Sequence, residues 1–102
     1  MSARIAMHPF FAGHVRGKQV IKVEGKNVGE CLVALIEQYP PIEKKLFEKK
    51  GKLRGYLEIY VNGKSTFPKE LDHPIVDGDE IRIIVFGAGV LVVAVIVAVA
   101  IT

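Results

Sequence analysis

The chain has 102 residues, with 14 Lys and Arg against 11 Asp and Glu, a net charge of +3 and a single cysteine. That length holds one domain, and one thiol excludes an internal disulfide. So modest a basic excess, with no aromatic residues interleaved beyond Phe47, argues against a nucleic-acid surface. Every charge lies between Arg4 and Arg82. The chain is therefore a charged body followed by an uncharged tail.

"ARIAMHPFF" alternates roughly, with Ile5 and Met7 on one side, and Pro9, which has no N–H to donate, either ends the strand or puts it on an edge. The opening residues "MSARIAMHPFF" lack the apolar core and small-residue cleavage site of a signal peptide. "AGHVRGK" is a turn, and "QVIKVEG" a second strand with Ile21 and Val23 on one face and Val20 and Lys22 on the other. Two strands joined by a glycine-bearing link predict a hairpin. In "NVGECLVALIEQYPP", Asn27 is a helix N-cap, and Glu30 completes a capping box. Val28, Leu32, Leu35, Ile36 and Tyr39 form an apolar stripe at helical spacing. Pro40 and Pro41 stop this helix.

"PIEKKLFEKKG" predicts a short second helix with Ile42, Leu46 and Phe47 inward and Gly51 as its C-terminal stop. The basic residues Lys44, Lys45, Lys49, Lys50, Lys52 and Arg54 read as a solvated helix-and-loop face. "YLEIYVNGK" is a strand entering an Asn62-Gly63 turn. "FPKELDHPIVDGD" is irregular, and "EIRIIVF" is the last strand, with Ile81, Ile83 and Val85 on one face. Strands on both sides of one long helix predict an α+β domain with that helix packed on a sheet.

From Ile83 to Ile101, nineteen successive residues are apolar or glycine. The division expected is a domain over residues 1–86 and an apolar C-terminal extension over residues 87–102. As a helix, residues 87–101 would span ~22 Å, short of a bilayer core of roughly 30 Å. The segment also lacks flanking Trp, Tyr or basic anchors. As a helix it places Gly87, Ala94 and Ala98 near one face. As a strand it sends Leu91, Val93, Val95, Val97, Val99 and Ile101 one way and Val90, Val92, Ala94, Ile96, Ala98 and Ala100 the other. Periodicity leaves both open. Either form needs a partner or self-association to bury it.

"VEGKNVGECLVALIEQYPPI", "GYLEIYVNGK" and "LDHPIVDGDEIRIIV" resemble the β-grasp (ubiquitin-like) sulfur carriers: the small subunit of molybdopterin synthase and the thiamine-biosynthesis carrier. The resemblance covers about residues 15–89 and rests on Gly25, Asn27-Val28, Tyr39-Pro40, Val61-Asn62-Gly63 and Asp77-Gly78-Asp79-Glu80. It implies a β-grasp fold, with one main helix on a mixed sheet. It also implies a non-enzymatic carrier ending in Gly-Gly, whose terminal carboxylate is adenylated and converted to a thiocarboxylate. Such a terminus must be thin and free enough to enter a partner's active site, and glycine meets that demand. Here Gly89 aligns with the first glycine, Val90 replaces the second, and thirteen residues follow Gly89.

The junction "DGDEIRIIVFGAGVLVVAVIVAVA" is also similar to the phage lambda tail protein I family, in which a β-grasp domain precedes a Gly, Ala and Val-rich segment. That resemblance implies a structural, non-enzymatic tail-tip protein of the virion. Its domain would dock on the tail hub. Its apolar tail (Gly87, Gly89, Val90, Leu91, Val93, Ala94, Val95, Val97, Ala98, Val99 and Ile101) would self-associate, in threefold form, or meet the host membrane. This is the leading expectation. The alternative is a cytoplasmic sulfur carrier or ubiquitin-like modifier, cut after Gly89 and served by an adenylating sulfur-transfer enzyme.

No catalytic residue, cofactor or metal is expected. His8, His14 and His73 are not at ligand spacing with Cys31 or a carboxylate pair. Cys31 reads as a small buried hydrophobe without an adjacent base. Asp77, Asp79 and Glu80 read as a turn that shapes the entry to the last strand. The sheet face carrying Tyr56, Glu58 and Tyr60, or its opposite, is the expected docking surface.

Overall fold

The computed structural model describes residues 1–85. A five-stranded mixed sheet carries one main helix on one face. The strands are β1 (Ser2–Ala6), β2 (Val20–Glu24), β5 (Leu57–Val61), β6 (Lys64–Ser65) and β7 (Glu80–Val85), in the order β2-β1-β7-β5-β6. β1 pairs antiparallel with β2 and parallel with β7, while β7 runs antiparallel to β5. The helix α1 (Val28–Gln38) follows β2. This is the β-grasp arrangement expected from the sequence.

Period-two alternation places one row from each main strand inward: Ala3 and Ile5, Ile21 and Val23, Leu57, Ile59 and Val61, Ile81 and Ile83. Against them α1 sets Val28, Cys31, Leu32 and Leu35, all fully buried. The predicted cap forms as expected. Asn27 Oδ1 accepts from Glu30 N at 2.8 Å, and Glu30 Oε1 reaches back to accept from Lys26 N at 2.8 Å. Asn62 and Gly63 take φ of 51° and 83°, the left-handed pair that a tight two-residue hairpin requires.

Two expectations need correction. The link between β1 and β2 is not a bare turn. Residues Pro9–His14 wind into a 3₁₀ helix, begun by His8 Nδ1 accepting from Phe10 N at 3.0 Å, and Phe11 is wholly buried. The second helix is shorter than predicted. It comprises a 3₁₀ turn, Pro40–Ile42, and the single turn α2 (Glu43–Leu46), which bury Ile42 and Leu46. The chain then extends as β3 (Phe47–Lys49) and pairs with β4 (Lys52–Leu53). Gly51, at φ +78°, turns this ribbon rather than ending a helix. Phe47 and the alternating Glu and Lys residues after it suit an extended edge better than a helix face. The irregular stretch before β7 contains a 3₁₀ turn, Glu70–Asp72, and buries Ile75.

Candidate functional site

The sheet has one face under α1 and one open face. On the open face Val20, Ala6, Arg82, Tyr60 and Ser65 lie in register across all five strands. Lys22, Arg4 and Glu80 make the adjacent row, and Ile84 sits opposite Glu58. Glu58 and Tyr60 therefore point outward, as anticipated for one of the two faces. Tyr56 does not join them: its hydroxyl donates to Lys45 O at 3.1 Å and its ring meets Phe10 edge-on at 6.0 Å. The sequence puts Val20 and Lys22 together on one face of β2 without giving them a role, and it does not single out Arg4, Arg82 or Ile84. The outward half of each alternating strand is the signal that finds them, apolar Val20 and Ile84 included.

The electrostatics of this face are mild. Arg82 pairs with Glu80 at 3.3 Å, both exposed, an interaction of little net stabilising value. Glu58 accepts from Ser65 Oγ at 2.8 Å, and its charge is the chief reason the Tyr60 phenol is raised above its usual value. The surface mixes apolar, aromatic and basic groups, a composition suited to a protein partner.

The entry to β7 is pinned by the acidic turn. Asp79 Oδ2 accepts from Val76 N at 2.9 Å, and Oδ1 accepts from Asn62 Nδ2 at 2.8 Å. Asn62 Oδ1 in turn accepts from Glu80 N at 2.9 Å, and Asp77 Oδ1 accepts from Ser2 N at 2.7 Å. The role is structural, as expected: one carboxylate ties the β5–β6 turn to the start of β7. The Val76 N–H first, then the Asn62 amide, hold the Asp79 carboxyl below its ordinary value. A depressed carboxyl stabilises the fold above its unfolded pKa of about 4, and that stabilisation is lost as pH falls through the lower folded value. Asp79→Ala should cost about 2–3 kcal/mol near neutral pH, with the deficit shrinking below pH ~4. Urea unfolding of both proteins across pH 2–7 checks it.

Cys31 is fully buried, and desolvation chiefly raises its thiol pKa, so it stays protonated and takes no part as a nucleophile. Among the described residues no cluster of His, Cys, Asp or Glu could hold a metal, and no helix is long and apolar enough to cross a membrane. The anticipated tail residues, Gly87 to Ile101, and the domain boundary at residues 86 and 87 lie outside the described residues, as does Gly89.

Three solved structures place this architecture among known proteins. CysO of Mycobacterium tuberculosis, described as an antigen, shares 25% identity; the alignment covers 83% of this chain and 99% of that one, with a TM-score of 0.76. CysO in the BexX/CysO complex of Amycolatopsis orientalis gives 24% identity, 85% and 98% coverage and a TM-score of 0.78. Small archaeal modifier protein 1 of Methanosarcina acetivorans gives 23%, 86% and 95%, and 0.76. No curated protein matches the chain.

The expectation of a phage tail-tip protein is overturned, and nothing supports tail-hub partners. The fold is that of CysO and of a small archaeal modifier protein, and nothing supports the lambda tail protein I resemblance. The reason is physical: an uncharged run of Val and Ala suits many apolar settings and specifies none of them. The patterned residues of the domain carry the information, and they carry it as far as Gly89. The ThiS family profile matches residues 11–89, so this chain belongs to the ThiS family, whose members are small carriers and not themselves enzymes.

Proposed function

We propose that this protein is a sulfur carrier whose working terminus is Gly89, exposed by cleavage of the bond to Val90. The supporting observation is that the family match runs through the domain and closes on Gly89, four residues beyond the end of β7. The terminus would leave the sheet from β7, which pairs with β5 as far as Val85 and with β1 as far as Arg82. The open face beside it, with Val20, Arg82, Tyr60 and Ile84, would seat an adenylating partner. A complex such as BexX/CysO shows that a protein of this fold engages a protein partner.

The chemistry places few demands on the carrier. The Gly89 carboxylate attacks the α-phosphorus of ATP, pyrophosphate leaves, and a hydrosulfide-type donor then displaces AMP to give the thiocarboxylate. The carrier supplies a terminus thin enough to enter the partner's site and a surface that fixes its direction. Its own thiol is sealed in the core. The same reading places the protein in the cytoplasm, with the ATP that activation consumes.

The test is ATP–pyrophosphate exchange with an adenylating enzyme of the ThiS-partner type. The chain ending at Gly89 should support exchange and gain the mass of one oxygen-to-sulfur replacement; the chain extending to Thr102 should be inert. Arg82→Glu should raise the half-saturating carrier concentration about tenfold while leaving stability unchanged. A native protein whose intact mass runs past Gly89, together with no exchange from the shortened chain, would sink the proposal.

A further inference from the structure

α1 buries its inner stripe against the sheet and leaves an outer stripe uncovered. Val33, in the middle of that outer stripe, is 54% exposed although it is apolar and β-branched. Ile36, one turn on, is only partly buried. Both line a groove of 550 Å³ whose other wall carries Phe47, at the start of β3, and Leu71, in the 3₁₀ turn before β7. The groove opens on the side of the molecule away from the open sheet face. Its charge is one-sided. α1 carries Glu30 and Glu37 and no Lys or Arg. Glu30, Glu43 and Asp72 line the groove against a single cation, Lys50, in a chain whose net charge is +3. Among the described residues the one ion pair, Arg82 with Glu80, lies on the sheet face, so none of these three carboxylates is ion-paired.

We propose that this groove docks a basic amphipathic helix of a partner protein, with apolar side chains on the floor and Lys or Arg over the rim. The floor alone would accept any apolar segment, and the rim chooses among them. An uncharged segment would take water from the carboxylates and return nothing. A nucleic acid or an anionic lipid surface would bring phosphates against three carboxylates. A cationic segment supplies the counter-charge that they lack. Val33 and Ile36 lie one helical turn apart, the spacing at which the anchors of an incoming helix recur. The eleven residues of α1 give it a seat ~16 Å long, about three turns. The proposal goes beyond the carrier reading and does not rest on it. The groove faces away from Val20, Tyr60 and Arg82, so a partner at each face can be held at once.

The test titrates the full chain into a fluorescent peptide of about fifteen residues, built of Leu, Ala, Lys and Arg. Leu recurs at every third or fourth position and the cations flank that stripe. Its anisotropy at ~0.15 M salt should saturate at one peptide per chain. Val33→Ser should weaken binding about tenfold, and Glu43→Lys combined with Asp72→Lys should do the same. Arg82→Glu should leave binding unchanged. All four positions are exposed, so folding is not at stake, and urea unfolding of each variant checks this. The same peptide in scrambled order, with its stripe broken, should bind about tenfold more weakly. Equal binding of the scrambled peptide would reduce the interaction to general charge attraction and overturn the proposal. Binding lost in Arg82→Glu but kept in the groove variants would move the peptide to the sheet face and overturn it. Absence of binding would overturn it outright, and a fall from dimer to monomer in the groove variants would then assign the groove to a second copy. None of these readings depends on activation of Gly89, so the proposal and the carrier reading fail separately.

Discussion

Phe11→Ala is expected to lower the stability of the domain by about 3–5 kcal/mol, a large share of the roughly 5–15 kcal/mol typical of a whole domain. Phe11 lies in the 3₁₀ turn between β1 and β2, where loops ordinarily contribute little. Here the turn folds inward. Phe11 and Val15 are completely buried, and the Phe11 ring meets Phe10 edge-on at 5.1 Å. Truncation would open a cavity in the core above the sheet, and neighbours held by the β1–β2 ladder cannot collapse to fill it. Phe10, the adjacent ring, is the control. It is partly exposed, with the Lys45 ammonium 5.4 Å above it, so Phe10→Ala should cost about 1 kcal/mol or less. Urea titrations of the two variants measure the difference. Equal losses would mean that the turn is not part of the core.

Gly25→Ala should destabilise by about 2–3 kcal/mol, although it adds a single methyl group. A Cβ at this position would lie 2.7 Å from Cys31 N, 2.9 Å from Glu30 Cβ and 3.0 Å from Cys31 Sγ. The nearest of these is backbone and cannot rotate away: Cys31 N is committed to Asn27 O at 3.1 Å in the first turn of α1. Room for the methyl group must come from parting β2 and the start of α1, which disturbs the capping box. Gly55→Ala makes the comparison, because nothing lies within 4 Å of a Cβ there. Thermal unfolding of the pair should show a drop of several degrees for the first and almost none for the second. A neutral Gly25→Ala would mean that α1 sits further from β2 than described.

The elements legible in the sequence were those whose causes are local. A capping box at Asn27 and Glu30, a two-residue Asn62-Gly63 turn and period-two alternation in Ile81 and Ile83 each act over a few residues, so each could be read in place. What escaped was non-local. Nothing near β1 announces that it lies parallel to a strand more than seventy residues later. Nothing in "HPFFAGH" announces that a proline-led turn will point a phenylalanine into the core. Gly51 reads as a helix stop in the sequence because a glycine with left-handed φ serves equally well at a helix end and in a ribbon turn. The open face was half legible: Glu58 and Tyr60 were anticipated on one of two faces, but their basic neighbours come from other strands and meet only through pairing. The tail misled for another reason. Its hydrophobicity is strong but unspecific, and it outweighed the weaker, patterned signal that led to Gly89.

Placing β7 between β1 and β5 also has a mechanical consequence. A partner that draws the C-terminal end of this strand into its own site pulls along the strand axis. Hydrogen bonds on both edges, to a parallel neighbour on one side and an antiparallel one on the other, then take the load. Because β7 pairs with β5 from Ile81 to Val85 and with β1 from Glu80 to Arg82, a pull along its axis loads the β5 ladder first and then both ladders at the base of the strand.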